Sequence, residues 1–309
     1  MNYYKMYGLV IKTKLDLSDY FYECGKSYYD FEIVCDDRFF NKDLLNQSKL
    51  VFRRFIVGEA VPFKEVYKVG NSDYFLRWLT KYQFFIDPFK RRLIMNSELD
   101  EEFFAIFFSK ITSFLLYLKG HSQLHGSAVR YRNKTICFIG DSGTGKSTIA
   151  SLCALAGGKI ITDDIIALAP ETYMVRSGIP SMRLSESSPL VSQATRNFGE
   201  IDKLRVDVSQ GLHYKDDSFI DGFFFLKLDD TKGLVSKRLK GNETIMHLLS
   251  NVYAKHFLKH VFSEVFYDRN LPVFTRLSCE VPMFRVYRDT ETNPESLFSL
   301  IDELVNQIS

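Results

Sequence analysis

The sequence predicts a two-part α/β protein, a β-rich N-terminal domain followed by an α/β domain, and three observations carry that reading. Short apolar runs broken by charged turns fill roughly the first 95 residues. A long apolar stretch with helix-like ends comes next, and from residue 124 the order becomes strand, glycine-rich loop, helix, strand. A chain of 309 residues, 46% hydrophobic and 25% charged, is globular and long enough for two cores. The expected division is a β-rich domain over residues 1–97, a connecting helix over 98–123, and a catalytic-type α/β domain over 124–309.

In the first part, Tyr7-Gly8-Leu9-Val10-Ile11, Phe31-Glu32-Ile33-Val34, Phe75-Leu76-Arg77-Trp78-Leu79 and Tyr82-Gln83-Phe84-Phe85-Ile86 read as strands. Residues 98–119 read as one helix: Glu98, Asp100, Glu101 and Glu102 favour its start, and Lys119 with Gly120 favours its end. Ser109, Lys110, Thr112 and Ser113 interrupt its apolar run, which leaves it short of the ~18 residues of a spanning helix, so it is expected to be buried in protein. Residues 124–131 and 134–139 form a strand pair turning at Arg132-Asn133. Residues 144–156 form a helix stopped by Gly157-Gly158, and 159–162 a strand that ends on two aspartates. Further strands are expected at 165–168, 223–228 and 283–287, and a helix at 242–260. Asn293-Pro294-Glu295 opens the last helix with a cap residue, a first-turn proline and an acid. The serine-rich segment 185–192 reads as a loop over a site.

The formal charge of +2 gives no global pull toward nucleic acid or anionic lipid, so neither is an expected partner, and no membrane association is expected. Five scattered cysteines without CxxC spacing suit reduced thiols rather than disulfides or zinc. The first residues lack the basic-then-apolar pattern of a signal peptide, so a cytoplasmic location is expected. A homo-oligomer stays open.

The chemistry is concentrated in Gly140-Asp141-Ser142-Gly143-Thr144-Gly145-Lys146-Ser147, followed by Thr148, which fits GxxxxGK[ST] at every fixed position. Glycines let successive N–H groups curl inward around a phosphate, and the following helix adds its positive end. Lys146 then meets the terminal phosphates, and the Ser147 hydroxyl is a magnesium ligand, so ATP and magnesium are the expected cofactors. Residue frequencies make a chance match about a one-in-a-hundred event, and the strand before and helix after are the context the motif requires. Asp163 and Asp164 end the strand after that helix, which puts two carboxylates at the edge of the sheet where ligands bind. One acid can hold magnesium while the other takes a proton from an acceptor hydroxyl. His125-Gly126 lies at the start of the strand pair leading to the loop.

In this order and at these separations, His125-Gly126, the loop from Gly140 to Ser147 and Asp163-Asp164 resemble the catalytic domain of the bacterial HPr kinase/phosphorylase family. That domain is similar to phosphoenolpyruvate carboxykinase, and the resemblance implies transfer of the γ-phosphate of ATP to a serine. It further implies that Asp163 is the catalytic base with His125 as its neighbour, that Lys146 contacts the phosphates, and that Ser147 and Asp164 serve the metal. The Pro- and Arg-rich signature tied to phosphorylase activity has no counterpart here. The N-terminal part, with Tyr7-Gly8-Leu9, resembles a divergent branch that accompanies peptide natural-product pathways, lasso peptides included, which implies a peptide or small-protein acceptor such as a precursor peptide.

Arg183, Lys203 and Arg205 are further cations that could meet a transferring phosphoryl group, against a plain reading as surface charge. His256 and His260 have the spacing of a helical metal pair but no third ligand, so a solvent-facing helix is the expectation. Two other functions fit the same residues: a kinase for a small hydroxylated metabolite, and a non-catalytic nucleotide-gated binding module. The two aspartates and His125 weigh against the second, since binding alone needs no base.

Overall fold

The fold is mixed α/β, with three sheets among the described residues. The computed structural model of the chain describes all residues except 27, 57–60, 98, 186, 187, 189, 192–196, 201, 202, 210 and 309, and leaves out the side chains of 42, 197–200 and 203. The chain divides into two units, Met1–Phe108 with His256–Glu264, and Ser109–Lys255 with Val265–Ser309.

Nine strands build the sheet of the first unit: β1 (Asn2–Met6), β2 (Leu9–Thr13), β3 (Tyr22–Glu23), β4 (Phe31–Cys35), β5 (Ser48–Phe55), β6 (Pro62–Val69), β7 (Asp73–Trp78), β8 (Tyr82–Asp87) and β9 (Arg92–Met95), in the order β3-β1-β2-β4-β9-β8-β7-β6-β5. The run expected as one strand from Tyr7 is instead split: Tyr7 and Gly8, with φ of 49° and 79°, make the two-residue turn between β1 and β2. Left-handed residues at both turn positions match the twist of a tight hairpin, which is why the apolar Tyr7 is spent on a turn. A short helix α1 (Lys42–Asn46) is capped by the Asn41 carboxamide. Trp78, Tyr82 and Phe84 are buried, and Lys64 lies over the rings of Trp78 (4.7 Å) and Phe257 (3.2 Å). On the opposite face of β6, Glu65 is held between Arg53 and Arg77.

The helix expected at 98–119 is present in three pieces, α2 (Glu101–Ile106), a π turn (Phe107–Ile111) and α3 (Thr112–Leu118). Asp100 caps the start through Phe103 N–H at 2.8 Å, and Gly120, at φ 89°, follows Lys119 at the end. Glu98 lies outside the described residues.

The second unit contains β10 (Ser122–Tyr131), β11 (Lys134–Ile139), α4 (Lys146–Leu155), β12 (Lys159–Thr162), β13 (Ile165–Leu168), β14 (Ser181–Leu184), β15 (Asn197–Glu200), β16 (Lys203–Asp207), β17 (Gly222–Leu228), β18 (Val235–Arg238) and α5 (Asn242–Ser250). After α6 (Lys255–Val261) come α7 (Phe266–Glu280), β19 (Met283–Arg288) and α8 (Pro294–Gln307). The main sheet runs β12-β10-β11-β17-β19-β18, with β13 also on β10, and β14-β16-β15 form a small sheet. β11, β17 and β19 are parallel, while β10 is antiparallel to β11, β12 and β13. β12 therefore runs in the direction of β11, and both end at the same edge. Arg132 and Asn133, both left-handed, turn β10 into β11.

The core of this unit gathers Ile149, Ala150, Cys153 and Ala154 of α4, Phe138 of β11, Phe224 of β17 and Leu297, Ile301, Leu304 and Val305 of α8. Those spacings of three and four put one stripe of each helix on the sheet. The helix expected at 242–260 is broken into α5 and α6 at residues 251–254, where Ala254 takes φ 50°. α7 was not among the expected helices; it contains Pro272, and Phe266, Asn270, Val273, Phe274 and Leu277 bury one helical face around it. Cys137 and Cys153 are buried free thiols and Cys279 is exposed. Among the described residues, no helix is long and apolar enough to cross a membrane.

Candidate functional site

The glycine-rich loop leaves the end of β11 and enters α4 at Gly145, which has φ 102° and no side chain to cap the helix, so the first-turn N–H groups face outward along the axis. Gly140 has φ 154°, and a Cβ there would collide with the Leu226 carbonyl oxygen of the neighbouring strand. Gly143 is left-handed at φ 83°. These are positions that only glycine fills without strain. The Asp141 carbonyl gathers the loop inward, accepting from Thr144 Oγ1 at 2.8 Å and from Lys146 Nζ at 2.8 Å. From the end of β19, Arg288 donates Nε to the Thr144 carbonyl (2.9 Å) and Nη2 to the Gly143 carbonyl (3.1 Å). The Thr144 N–H turns inward to the Asp141 carbonyl at 3.4 Å. Asp141 and Ser142 are exposed, Thr144 and Lys146 are buried, and Ser147 and Thr148 are half-buried on α4.

Asp163 and Asp164 join β12 to β13, opposite Gly126 of β10. Asp163 is buried and accepts three hydrogen bonds: Ser127 Oγ at 2.6 Å and Ser147 Oγ at 2.9 Å on Oδ1, and the Arg183 N–H at 2.9 Å on Oδ2. Asp164 is left-handed at φ 68°. Its Oδ2 accepts from Tyr253 Oη at 2.9 Å, and its Oδ1 lies 3.4 Å from His125 Nδ1. Burial by itself would raise its pKa and favour the neutral form. The His125 hydrogen bond and charge, with Lys110 and Arg183, outweigh burial and hold the Asp164 carboxyl well below the usual carboxylate range. The bend itself depends on Gly126, whose N–H donates to the Asp164 carbonyl at 3.3 Å and whose Cβ position is taken up by the Phe138 carbonyl, Ile139 and Ile166. The His125-Gly126 pair is therefore one device: the glycine lets the strands close, and the histidine beside it meets the acid.

The sequence expectation set His125 beside Asp163; the structure sets its ring on Asp164, and sets Ser147 on Asp163. Asp163 and Asp164 lie between β12 and β13, and the left-handed Asp164 breaks the alternation of successive extended residues, so both acids stay at this edge. Of the extra cations, Arg183 lies on β14 with its N–H on Asp163, and Arg205, paired with it across β14 and β16, donates to Ser181 Oγ at 2.9 Å. The Lys203 side chain and residues 186, 187, 189 and 192 of the segment expected as a loop at 185–192 lie outside the described residues. His256 and His260 both belong to the first unit, where His260 Nδ1 meets the His256 carbonyl at 2.7 Å.

Four contributors went unread in the sequence: Ser127, Lys110, Tyr253 and Arg288. Ser127 was within reach, since a strand repeats its face every second residue and His125 was already marked. Arg288 ends a strand at the ligand edge of an α/β sheet, a place worth inspecting for any charged residue. Lys110 and Tyr253 carry no local signal.

A scan against protein-family models matches none, and no curated protein matches the sequence. Among solved structures, the chain is similar to the Hpr(Ser) kinase/phosphatase from Coxiella burnetii, at 11% identity and a TM-score of 0.30, over 60% of this chain and 91% of that one. A likeness that weak carries no argument about function, so the site stands on its own residues.

Proposed function

We propose that this chain is a P-loop phosphotransferase that moves the γ-phosphoryl group of Mg-ATP to a hydroxyl, a serine of a peptide or small protein. The observation that carries it is the Ser147 Oγ to Asp163 Oδ1 contact of 2.9 Å, made beneath a loop whose glycines, lysine and helix N-terminus suit phosphate. A hydroxyl and a carboxylate are hard oxygen ligands, and a magnesium ion commonly takes only one or two protein ligands and the rest from phosphate and water.

When bound, Mg-ATP supplies an electrophilic γ-phosphorus and a stable leaving group. Lys146 and the first-turn amides of α4 would hold phosphate oxygens, and Ser147 with Asp163 would hold the cation. Asp164, ionised throughout, would orient the acceptor hydroxyl and take its proton late, once bonding to phosphorus has made that proton acidic. This reverses the roles implied for the two acids by resemblance. The support is their partition: the acid on the loop serine belongs to the metal, and the acid on the histidine and tyrosine is left for the proton. Arg183 adds positive charge near Asp164.

A peptide acceptor is favoured over a metabolite by β18. It is the edge of the main sheet, all four of its residues are exposed, and its Val235 pairs with Tyr287, next to Arg288. An exposed edge offers a peptide backbone a row of hydrogen bonds. The test is incubation of the chain with Mg-ATP and serine-containing peptides, HPr among the controls, with mass spectrometry for added phosphate. Asp164→Asn should retain Mg-ATP and slow transfer by about 100-fold or more, whereas Asp163→Asn should lose magnesium-dependent nucleotide binding. The opposite pattern returns the base role to Asp163, and wild type indifferent to ATP ends the proposal.

A further inference from the structure

We propose that Lys110 and Tyr253 are positioning residues that fix the Asp164 carboxylate for its work as a base; the inference rests on the phosphotransferase reading and adds to it a support that no motif contains. The Tyr253 hydroxyl stands between two partners, Lys110 Nζ at 3.0 Å and Asp164 Oδ2 at 2.9 Å. An ammonium has no acceptor and a carboxylate no donor, so the single phenolic proton goes to Asp164 and the phenol oxygen accepts from Lys110. The direction is forced along the chain from lysine to tyrosine to aspartate.

Each member is held by backbone. Tyr253 is buried at the end of a strand-like segment along β10: its N–H donates to the Gln123 carbonyl at 3.0 Å, Val252 bridges Leu124, and the His125 N–H donates to the Asn251 carbonyl at 2.8 Å. The same segment therefore sets the height of both groups that touch Asp164, and the rings of His125 and Tyr253 lie 5.7 Å apart. Lys110 comes from the π turn Phe107–Ile111. A π turn carries one extra residue, and such turns are rare and concentrate at functional sites. Without that residue the side chains beyond it would rotate by about 100° around the axis, and Lys110 would leave Tyr253. Asp164 is itself in a left-handed backbone, a strained state for a residue with a Cβ, which persists when the surroundings over-determine it. The His125 ring, with Nδ1 3.1 Å from the Asp164 carbonyl and 3.4 Å from Oδ1, and the Tyr253 hydroxyl on Oδ2 are that over-determination.

Removing the phenolic oxygen leaves the ring's packing intact and one carboxylate oxygen untethered. In the full chain with Mg-ATP, Tyr253→Phe should lower kcat by about tenfold or more, the scale of one hydrogen bond to a charged group, with KM for ATP within about twofold. Lys110→Met should do the same, and Lys110→Arg, which can still donate to the phenol, should recover most of the loss. A second measurement needs no turnover: the ¹⁵N resonances of the His125 ring should move in Tyr253→Phe while those of His213 stay in place. A moved His125 signal in a chain with no ATP turnover keeps the positioning and removes the phosphotransferase reading. Wild-type kcat in Tyr253→Phe, or an unmoved His125 signal, overturns the inference.

Discussion

Replacing Gly126 by alanine tests the device on which the site is built. The added methyl would overlap the Phe138 carbonyl oxygen and press on the Cδ1 atoms of Ile139 and Ile166. Ile139 and Ile166 are fully buried, and Phe138 belongs to β11, which is bonded on both sides by β10 and β17. A flexible side chain could move aside; the backbone of a strand paired on both sides cannot. Overpacking of this kind costs about 1–3 kcal/mol, and the backbone obstacle puts this case at about 2–3 kcal/mol. For a unit of this size each kcal/mol lowers Tm by about 2–4 °C, so calorimetry of the full chain should show the second unit's transition fall by roughly 4–12 °C. Gly143→Ala is the control. It meets no atom within 4 Å and costs only the left-handed backbone, about 1–2 kcal/mol. Gly126→Ala should also lose turnover at temperatures where it is still folded, because His125 is pushed off Asp164. A Gly126→Ala chain that melts as wild type, or is less affected than Gly143→Ala, would show that the strands close without need of the glycine.

Three further outcomes are expected. Lys146→Ala should abolish turnover and weaken Mg-ATP binding by at least about tenfold in calorimetric titration, since the loop N–H groups alone do not neutralise the phosphates. Arg288→Ala frees the Gly143 and Thr144 carbonyls and should weaken Mg-ATP by about tenfold with little change in Tm; Arg288→Lys should not restore it, because a point charge cannot span two carbonyls as a guanidinium does. His213 is buried, and burial, helped by the Lys215 charge, pushes it down from its ordinary 6.5 to about 4. Its neutral form is thus the folded form: the contribution is complete above pH 6.5 and lost as pH falls toward 4, about 3 kcal/mol in all. Urea unfolding of wild type against His213→Gln between pH 7 and 4 measures it, and equal slopes with pH would refute the assignment.

What could be read from the sequence was what neighbouring residues decide. The β10–β11 turn follows from Arg132 and Asn133, both left-handed, and the start of α8 from Asn293, whose side chain accepts from Ser296 N–H at 2.7 Å. The glycines of the loop announced themselves because each meets a backbone demand within a few residues. What could not be read was decided at long range. Tyr253 reaches Asp164 across 89 residues and Arg288 reaches Gly143 across 145, and no window of periodicity spans such distances. The π turn was hidden because its residues are as helical in composition as their neighbours. α7 carries a proline within its apolar stripe, a local signal against a helix that packing overrides.

The pairing of His125 with the second aspartate turns on one backbone torsion. Two successive residues in a strand face opposite sides, so an extended Asp163-Asp164 would bring one acid to the loop and bury the other behind the sheet. A left-handed Asp164 breaks that alternation and keeps both carboxylates at the same edge, one against Ser147 and one against His125. Aspartate and asparagine tolerate this conformation better than other residues with a Cβ, because their short polar side chains bond locally. The choice of variant follows from that. Asp164→Asn changes the charge and keeps the bend, so its kinetics report on the proton; Asp164→Val would straighten the backbone, release the Gly126 N–H from the Asp164 carbonyl, and report only on folding. If Asp164→Asn alone also lowered Tm to the level of Asp164→Val, the carboxylate would be a fixture of the bend, and the base would have to be sought at Asp163.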